Sequence, residues 1–178
     1  ALLEGKSVVG AYRMRLQNTD GEGQIVDVDA RLYFREKVER LGIAPLTSMY
    51  WYSEANRASA ADWRPEVHDT DGLAMVAGNG ERIWRPLNNP KIIRTSSFFI
   101  GDVKGFGLAQ RDREFENYQD DGVFYNRRPS VWIEPLKPFG KGMVQLVELP
   151  TDDEIYDNIV AYWSPEKMPE KGDALEFS

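Results

Sequence analysis

From Val26 to Phe34 the chain changes character at every residue. Val26, Val28, Ala30, Leu32 and Phe34 alternate with Asp27, Asp29, Arg31 and Tyr33. Successive side chains of a strand point to opposite faces, so this period of two predicts a half-buried strand over residues 24–34. Ser7–Leu16 is predicted as its partner, and the turn-forming run Asn18–Gly23 (NTDGEG) joins the two as a hairpin. Two further apolar runs, Met143–Leu149 and Asn158–Trp163, have strand character. Shorter strands are predicted at Thr47–Tyr52, Leu73–Ala77, Arg82–Trp84, Ile92–Phe99, Gly107–Gln110 and Val131–Glu134. Arg35–Leu41 is a short helical turn at most, closed by Gly42 and Pro45. Asp112–Asp121 is the one stretch whose residues are compatible with a helix longer than two turns. Many short strands punctuated by Gly and Pro indicate an all-β chain, an antiparallel β-sandwich or barrel. Ala1–Leu3 and Ala174–Ser178 read as pieces of strands cut from a larger sheet.

Composition narrows the chemistry. The 178 residues carry a formal charge of −7, which argues against nucleic acid or an anionic membrane as the partner and favours a neutral substrate. No apolar run approaches the roughly 20 residues of a membrane span. There are no cysteines and a single histidine, so thiolate sites and multi-histidine metal sites are excluded; no metal or cofactor is expected. The chain begins at Ala1 without a methionine or signal peptide, as a processed product or a fragment would.

The densest chemistry lies between the two long apolar runs. Their connection holds four carboxylates, Asp152, Asp153, Glu154 and Asp157, beside Tyr156, Tyr162 and Trp163. Crowded carboxylates next to aromatic rings suit carbohydrate chemistry, in which one acid stays protonated near neutral pH and ring faces hold sugars. At the edge of a buried strand, Asp157 is expected to have a raised pKa, as a general acid requires; the alternative is a turn cap. A second candidate is Arg64–Gly72 (RPEVHDTDG), in which Asp69 is either a general base beside His68 or a cap in a solvated turn. Of the aromatics Trp51, Tyr52, Trp63, Trp84, Tyr118, Tyr125, Trp132 and Trp163, two or three are expected to face a ligand and the rest to fill the core. Arg64, Arg85, Arg111 and Arg128 stand ready to hold loops in bidentate pairs or to bind hydroxyls. Phosphate loops, nucleophile elbows and Ser-His-Asp triads find no support in the sequence.

Several long strings occur in one order along nearly the whole chain: LGIAPLTSM at Leu41–Met49, RPEVHDTDG at Arg64–Gly72, GNGERIWRPLNNP at Gly78–Pro90, GFGLAQRD at Gly105–Asp112, RPSVWIEP at Arg128–Pro135, and Val147–Trp163. Together they resemble the osmoregulated periplasmic glucan biosynthesis proteins G and D. The resemblance implies a periplasmic protein acting on linear β-1,2-glucan. It also implies one partial domain over residues 1–178, the second part of a larger galactose-mutarotase-like sandwich, with the family's immunoglobulin-like C-terminal domain absent. Some members are inverting endo-β-1,2-glucanases. Carried over by motif, Asp157 is the general acid, Asp69 the general base, and Glu154 an acid of the same loop. His68, Trp84, Arg85, Tyr118, Trp132 and Tyr156 are the expected substrate-binding residues. Tyr156 departs from the family, which typically has Asn there, and the pattern around Asp120–Phe124 is looser. The rival role is a glucan-binding module without catalysis, and a third is a surface for the membrane-bound glucan synthase. A partial sandwich is also expected to need its complement or to self-associate.

Overall fold

A computed structural model describes residues 1–21, 23–60 and 62–178. The first strands are β1 (Leu2–Glu4), β2 (Val8–Thr19) and β3 (Gly23–Phe34). β2 and β3 form the predicted hairpin, pairing from Val8↔Phe34 to Thr19↔Gly23. Gly21 and Gly23 take positive φ at its tip, where a side chain would be strained; Glu22 of the predicted turn lies outside the described residues. The period of two holds, but burial starts only at Ala30: Ala30, Leu32 and Phe34 are sealed while Val26 is 48% exposed. The physical reason is reach. β1 pairs only with residues 9–11 of β2, and the last strand only with residues 30–33 of β3, so the distal hairpin projects beyond both.

Then come β4 (Ile43–Ser48), β5 (Tyr50–Tyr52), β6 (Val67–His68), β7 (Gly72–Val76), β8 (Arg82–Pro86), β9 (Arg94–Phe98) and β10 (Gly105–Ala109). Helix α1 (Phe115–Tyr118), β11 (Val131–Ile133), β12 (Gly142–Glu148), β13 (Ile159–Pro165) and β14 (Ala174–Phe177) complete the chain. Every strand pairing among the described residues is antiparallel. The sheets run β11-β10-β7-β8, β4-β13-β12-β9 and β1-β2-β3-β14, with a small β5-β6 pair. The fold is all-β and of sandwich type, with no closed barrel among the described residues.

The first two of these sheets share one core. Leu73, Met75, Phe106 and Leu108 of one pack with Val144, Leu146, Ile159 and Trp163 of the other. Alternation places them there: β12 reads buried at Val144, Leu146 and Glu148 and half-buried between. Fully burying one such side chain is worth about 1.5–3 kcal/mol, so this interface is the main source of stability. A second cluster, Met49, Tyr52, Val67, Tyr118 and Tyr125, lies under the loops that carry the candidate site.

One helical expectation is corrected. Asp112–Asp121 holds one turn, Phe115–Tyr118, because Gln119 turns left-handed (φ 53°) and ends it. Arg35–Leu41 forms bends without a helix. The predicted strand Thr47–Tyr52 is two strands parted at Met49: β4 pairs with β13, and β5 with β6.

Candidate functional site

The acid-rich loop leaves β12 at Leu149 and enters β13 at Asn158. Its neck is closed by backbone, Leu149 N–H donating to Asn158 O (2.9 Å), and by Asn158 Nδ2 donating to Leu149 O (3.0 Å). The Asn158 amide also acts as a substitute strand partner: its Oδ1 accepts from Tyr50 N (2.8 Å) and its Nδ2 donates to Tyr50 O (2.9 Å). Further out, the Asn89 side chain brackets Thr151, donating to its carbonyl (2.7 Å) and accepting from its amide (2.9 Å). Asp153 is a turn former, its carboxylate accepting from Ile155 N.

Glu154 fastens the middle of the loop. Its two oxygens accept from Arg64 Nη1 and Nη2 (2.9 and 3.0 Å), and Tyr125 Oη donates to Oε2 (2.5 Å). Arg64 is a hub that also pairs with Asp62 (2.6 Å) and Asp120 (2.5 Å) while its side chain is only 10% exposed. The Arg64 guanidinium, with the Tyr125 hydroxyl, holds Glu154 below the usual carboxylate range against its partial burial. Glu154 is thus an ionised fastening, poorly suited to donate a proton.

The hub explains the loop beneath it. Asp120 Oδ1 accepts from the amides of Gly122, Val123 and Phe124 (3.0, 2.7 and 3.3 Å), and its other oxygen holds Arg64. These bonds support Phe124 in left-handed backbone (φ 53°), a strained state for an aromatic residue. The result presents Tyr125, buried with its hydroxyl on Glu154. Burial raises the Tyr125 hydroxyl pKa and Glu154 adds to it, so it stays a donor.

Asp69 leaves β6 next to His68 and donates its amide to Met49 O (2.9 Å). Asp157 precedes Asn158, which is bonded to Tyr50, and His68 pairs with Tyr50 in β5. The two acids therefore flank the same short segment, Met49–Tyr50. Burial pushes the Asp69 carboxyl up; Arg128 opposes this and the charge of Asp157 adds to it. Arg128 Nε lies 3.1 Å from Asp69 Oδ1, yet neither atom has an aligned hydrogen bond. The pair is a charge contact that leaves a buried carboxylate oxygen able to accept from something else. Asp157 is exposed, so the burial expected for it at the edge of β13 is absent.

The expected binding residues divide. His68 is fully buried, with Nδ1 3.0 Å from Gln110 and Nε2 2.8 Å from Glu66, and does not reach the surface. Tyr118 is fully buried too, its hydroxyl donating to Asp112 O. Arg85 is committed to the sealed Glu148 (2.7 Å) and to Pro86 O. Tyr156 is 59% exposed beside Asp157. Trp84 and Trp132 lie on the outer face of the β11-β10-β7-β8 sheet, bordering an open groove of about 580 Å³ that none of Asp69, Glu154 and Asp157 lines. Of the eight aromatics singled out, Trp63, Trp84 and Trp132 are exposed, and Trp63 adjoins the Arg64 hub. The bidentate role expected of Arg64 is met by Glu154, while Asp120, its partner across 56 residues, carried no sequence signal. Among the described residues no cluster of three or more His, Asp or Glu could hold a metal.

An antiparallel β-sandwich with a carboxylate-rich loop site is the class that fold and site define. A family model described as "Periplasmic glucan biosynthesis protein, MdoG" matches residues 1–178. The chain is 56% identical over 172 residues to Glucans biosynthesis protein D 2 of Ralstonia nicotianae, covering 97% of this chain and 32% of that protein. It is 54% identical over 176 residues to Glucans biosynthesis protein D of Xylella fastidiosa, covering 99% and 32%. It is 55% identical over its full 178 residues to Probable glucans biosynthesis protein D of Shewanella oneidensis, 33% of that protein. The chain belongs to the MdoG family of periplasmic glucan biosynthesis proteins. It spans about a third of the length of these curated relatives.

Proposed function

We propose that residues 1–178 are the second part of a larger sandwich domain in a periplasmic protein that cleaves linear β-1,2-glucan with inversion. The observation that carries this reading is the contrast among three acids. Glu154 is fastened by Arg64 and Tyr125, whereas Asp69 keeps an unbonded oxygen and Asp157 stands exposed at the loop neck. Asp157, exposed in the unliganded loop and covered only when glucan binds over it, then protonates the departing glycosidic oxygen, and Asp69 takes the proton of the attacking water. A carboxylate of raised pKa is the better base, which suits Asp69. Arg128 keeps Asp69 oriented, and Tyr125 holds the floor between Asp69 and Glu154. Inverting pairs are about 6.5–9.5 Å apart, leaving room for the water. Exposed Tyr156 and Trp63 offer ring faces to sugars at the loop.

The deciding experiment is release of reducing ends from β-1,2-glucan by the full-length protein, with Asp157→Asn and Asp69→Asn beside it. Both variants should lose activity and still bind glucan. If wild type binds glucan and releases nothing, a binding module takes the enzyme's place.

A further inference from the structure

Beneath Asp69 lies a buried hydrogen-bond chain whose protons can be counted. Gln110 Nε2 donates to the carbonyl of Tyr125 (3.1 Å). Only the NH₂ end of an amide can do so, which turns Gln110 Oε1 toward His68 Nδ1 at 3.0 Å. That oxygen can only accept, so Nδ1 carries a proton. On the other side of the ring, Nε2 lies 2.8 Å from Glu66 Oε2. A neutral ring with its proton on Nδ1 would present a lone pair there to a carboxylate oxygen. A contact this short needs a proton between the two atoms, on the ring or on the carboxyl. Solvent supplies no substitute, because His68 is 0% and Glu66 5% exposed.

The surroundings favour keeping that proton. Tyr50 stacks on the imidazole (centroids 5.6 Å, 21°) and Tyr118 meets it edge-on (5.2 Å, 68°). The charged groups acting on the pair are Glu54, whose carboxyl also meets that of Glu66, and Asp69 and Asp71, with Arg111 beside Asp71 as the nearby cation; Asp112 acts on the neighbouring Tyr118. Burial raises the Glu66 carboxyl pKa, in the direction a retained proton requires.

The chain also closes a ring around the candidate base. Gln110 fixes the Tyr125 backbone, the Tyr125 ring carries the Arg128 guanidinium at 5.3 Å, and Arg128 contacts Asp69 at 3.1 Å. Asp69 is bonded covalently to His68. We infer that Glu66, His68 and Gln110 are positioning residues in which one proton, held between His68 and Glu66, locks Tyr125, Arg128 and Asp69 in their mutual orientation. The effect on turnover rests on the proposed hydrolysis; the proton count does not.

His68 is the only histidine among the 178 residues. Its imidazole ¹⁵N shifts in the purified protein, assigned by the signals lost in His68→Asn, read the ring directly. The expected result is a protonated Nδ1 at neutral pH. A bare Nδ1 with the proton on Nε2 alone overturns the inference, because an ionised Glu66 would then need no extra proton. In Glu66→Gln the amide can donate to Nε2 without titrating. The ring should then stay in the Nδ1–H form, and stability should lose part of its fall at rising pH. A stability profile unchanged from wild type contradicts the shared proton. For turnover, Glu66→Leu should lower kcat by up to about 10²-fold with little change in KM, as misplacement of a catalytic group does, and Glu66→Gln should recover most of that loss. If wild type proves inactive on β-1,2-glucan, the proposed reaction fails while the ¹⁵N result still decides the proton count.

Discussion

Replacing Arg64 by Met tests the hub that holds the acid loop. The substitution keeps the apolar stem and removes a guanidinium that meets Asp62, Asp120 and Glu154 at 2.5–2.9 Å. The Arg64 side chain is 10% exposed, and its partners 21%, 6% and 30%. Three carboxylates would be left facing one another with little solvent. Removing one partner of a buried ion pair costs about 3–5 kcal/mol, and this site sits at that level because Asp120 is sealed and Glu154 is held by both oxygens. With an m-value of about 2 kcal/mol/M in urea, the unfolding midpoint should fall by roughly 2 M. The pH profile should change too. Arg64 holds Asp62 and Glu154 below their ordinary range, and the Val123 amide with Arg64 does so for Asp120 against its burial. Lowered carboxylate pKa values give stability that is present above the unfolded-state range and lost as pH falls through the folded values. Wild type should therefore lose stability steeply below about pH 4, whereas Arg64→Met should lose little more there, because its carboxylates gain by taking up protons. Equilibrium urea unfolding at pH 7 and at pH 3.5 measures both effects. A loss under about 1 kcal/mol at pH 7, or an unchanged acid limb, would refute the hub as a stabilising centre.

Other outcomes follow from the same geometry. Tyr125→Phe removes the hydroxyl that donates to Glu154, and should cost about 1.5–3 kcal/mol in urea unfolding, as hydrogen bonds to charged groups do. Gly72→Ala drives a Cβ into the Trp84 ring, so it should destabilise by about 1–3 kcal/mol and alter tryptophan fluorescence. Tyr156→Asn installs the residue that the resemblance implies is usual, and activity on β-1,2-glucan should persist or rise.

Much of the fold was legible from local pattern. The hairpin of β2 and β3 follows from the alternation at Val26–Phe34 and the turn-forming run before it, and β12 and β13 each follow from an apolar run of strand length. The helix at Asp112–Asp121 failed because residue types that tolerate helix were overruled by tertiary contacts: Tyr118 turns inward and Gln119 reverses the chain. In the site, the acids at Asp69, Glu154 and Asp157 were visible as residue types, but their states were not. Only cross-chain geometry assigns Glu154 to Arg64, seals His68 between Glu66 and Gln110, and leaves Asp69 Oδ1 without a bond. A sequence gives no sign of which carboxylate is already occupied.

In the proposed reaction Asp157 and Asp69 act as acid and base on β-1,2-glucan while Glu154 fastens the loop. The most direct measurement is reducing-end release by the full-length protein, comparing wild type with Asp157→Asn and Asp69→Asn under conditions where glucan binding is shown to be retained. Loss of general acid or base assistance should lower the rate by about 10²–10⁴ in each variant. Release at the wild-type rate by Asp157→Asn, or by Asp69→Asn, would contradict the account.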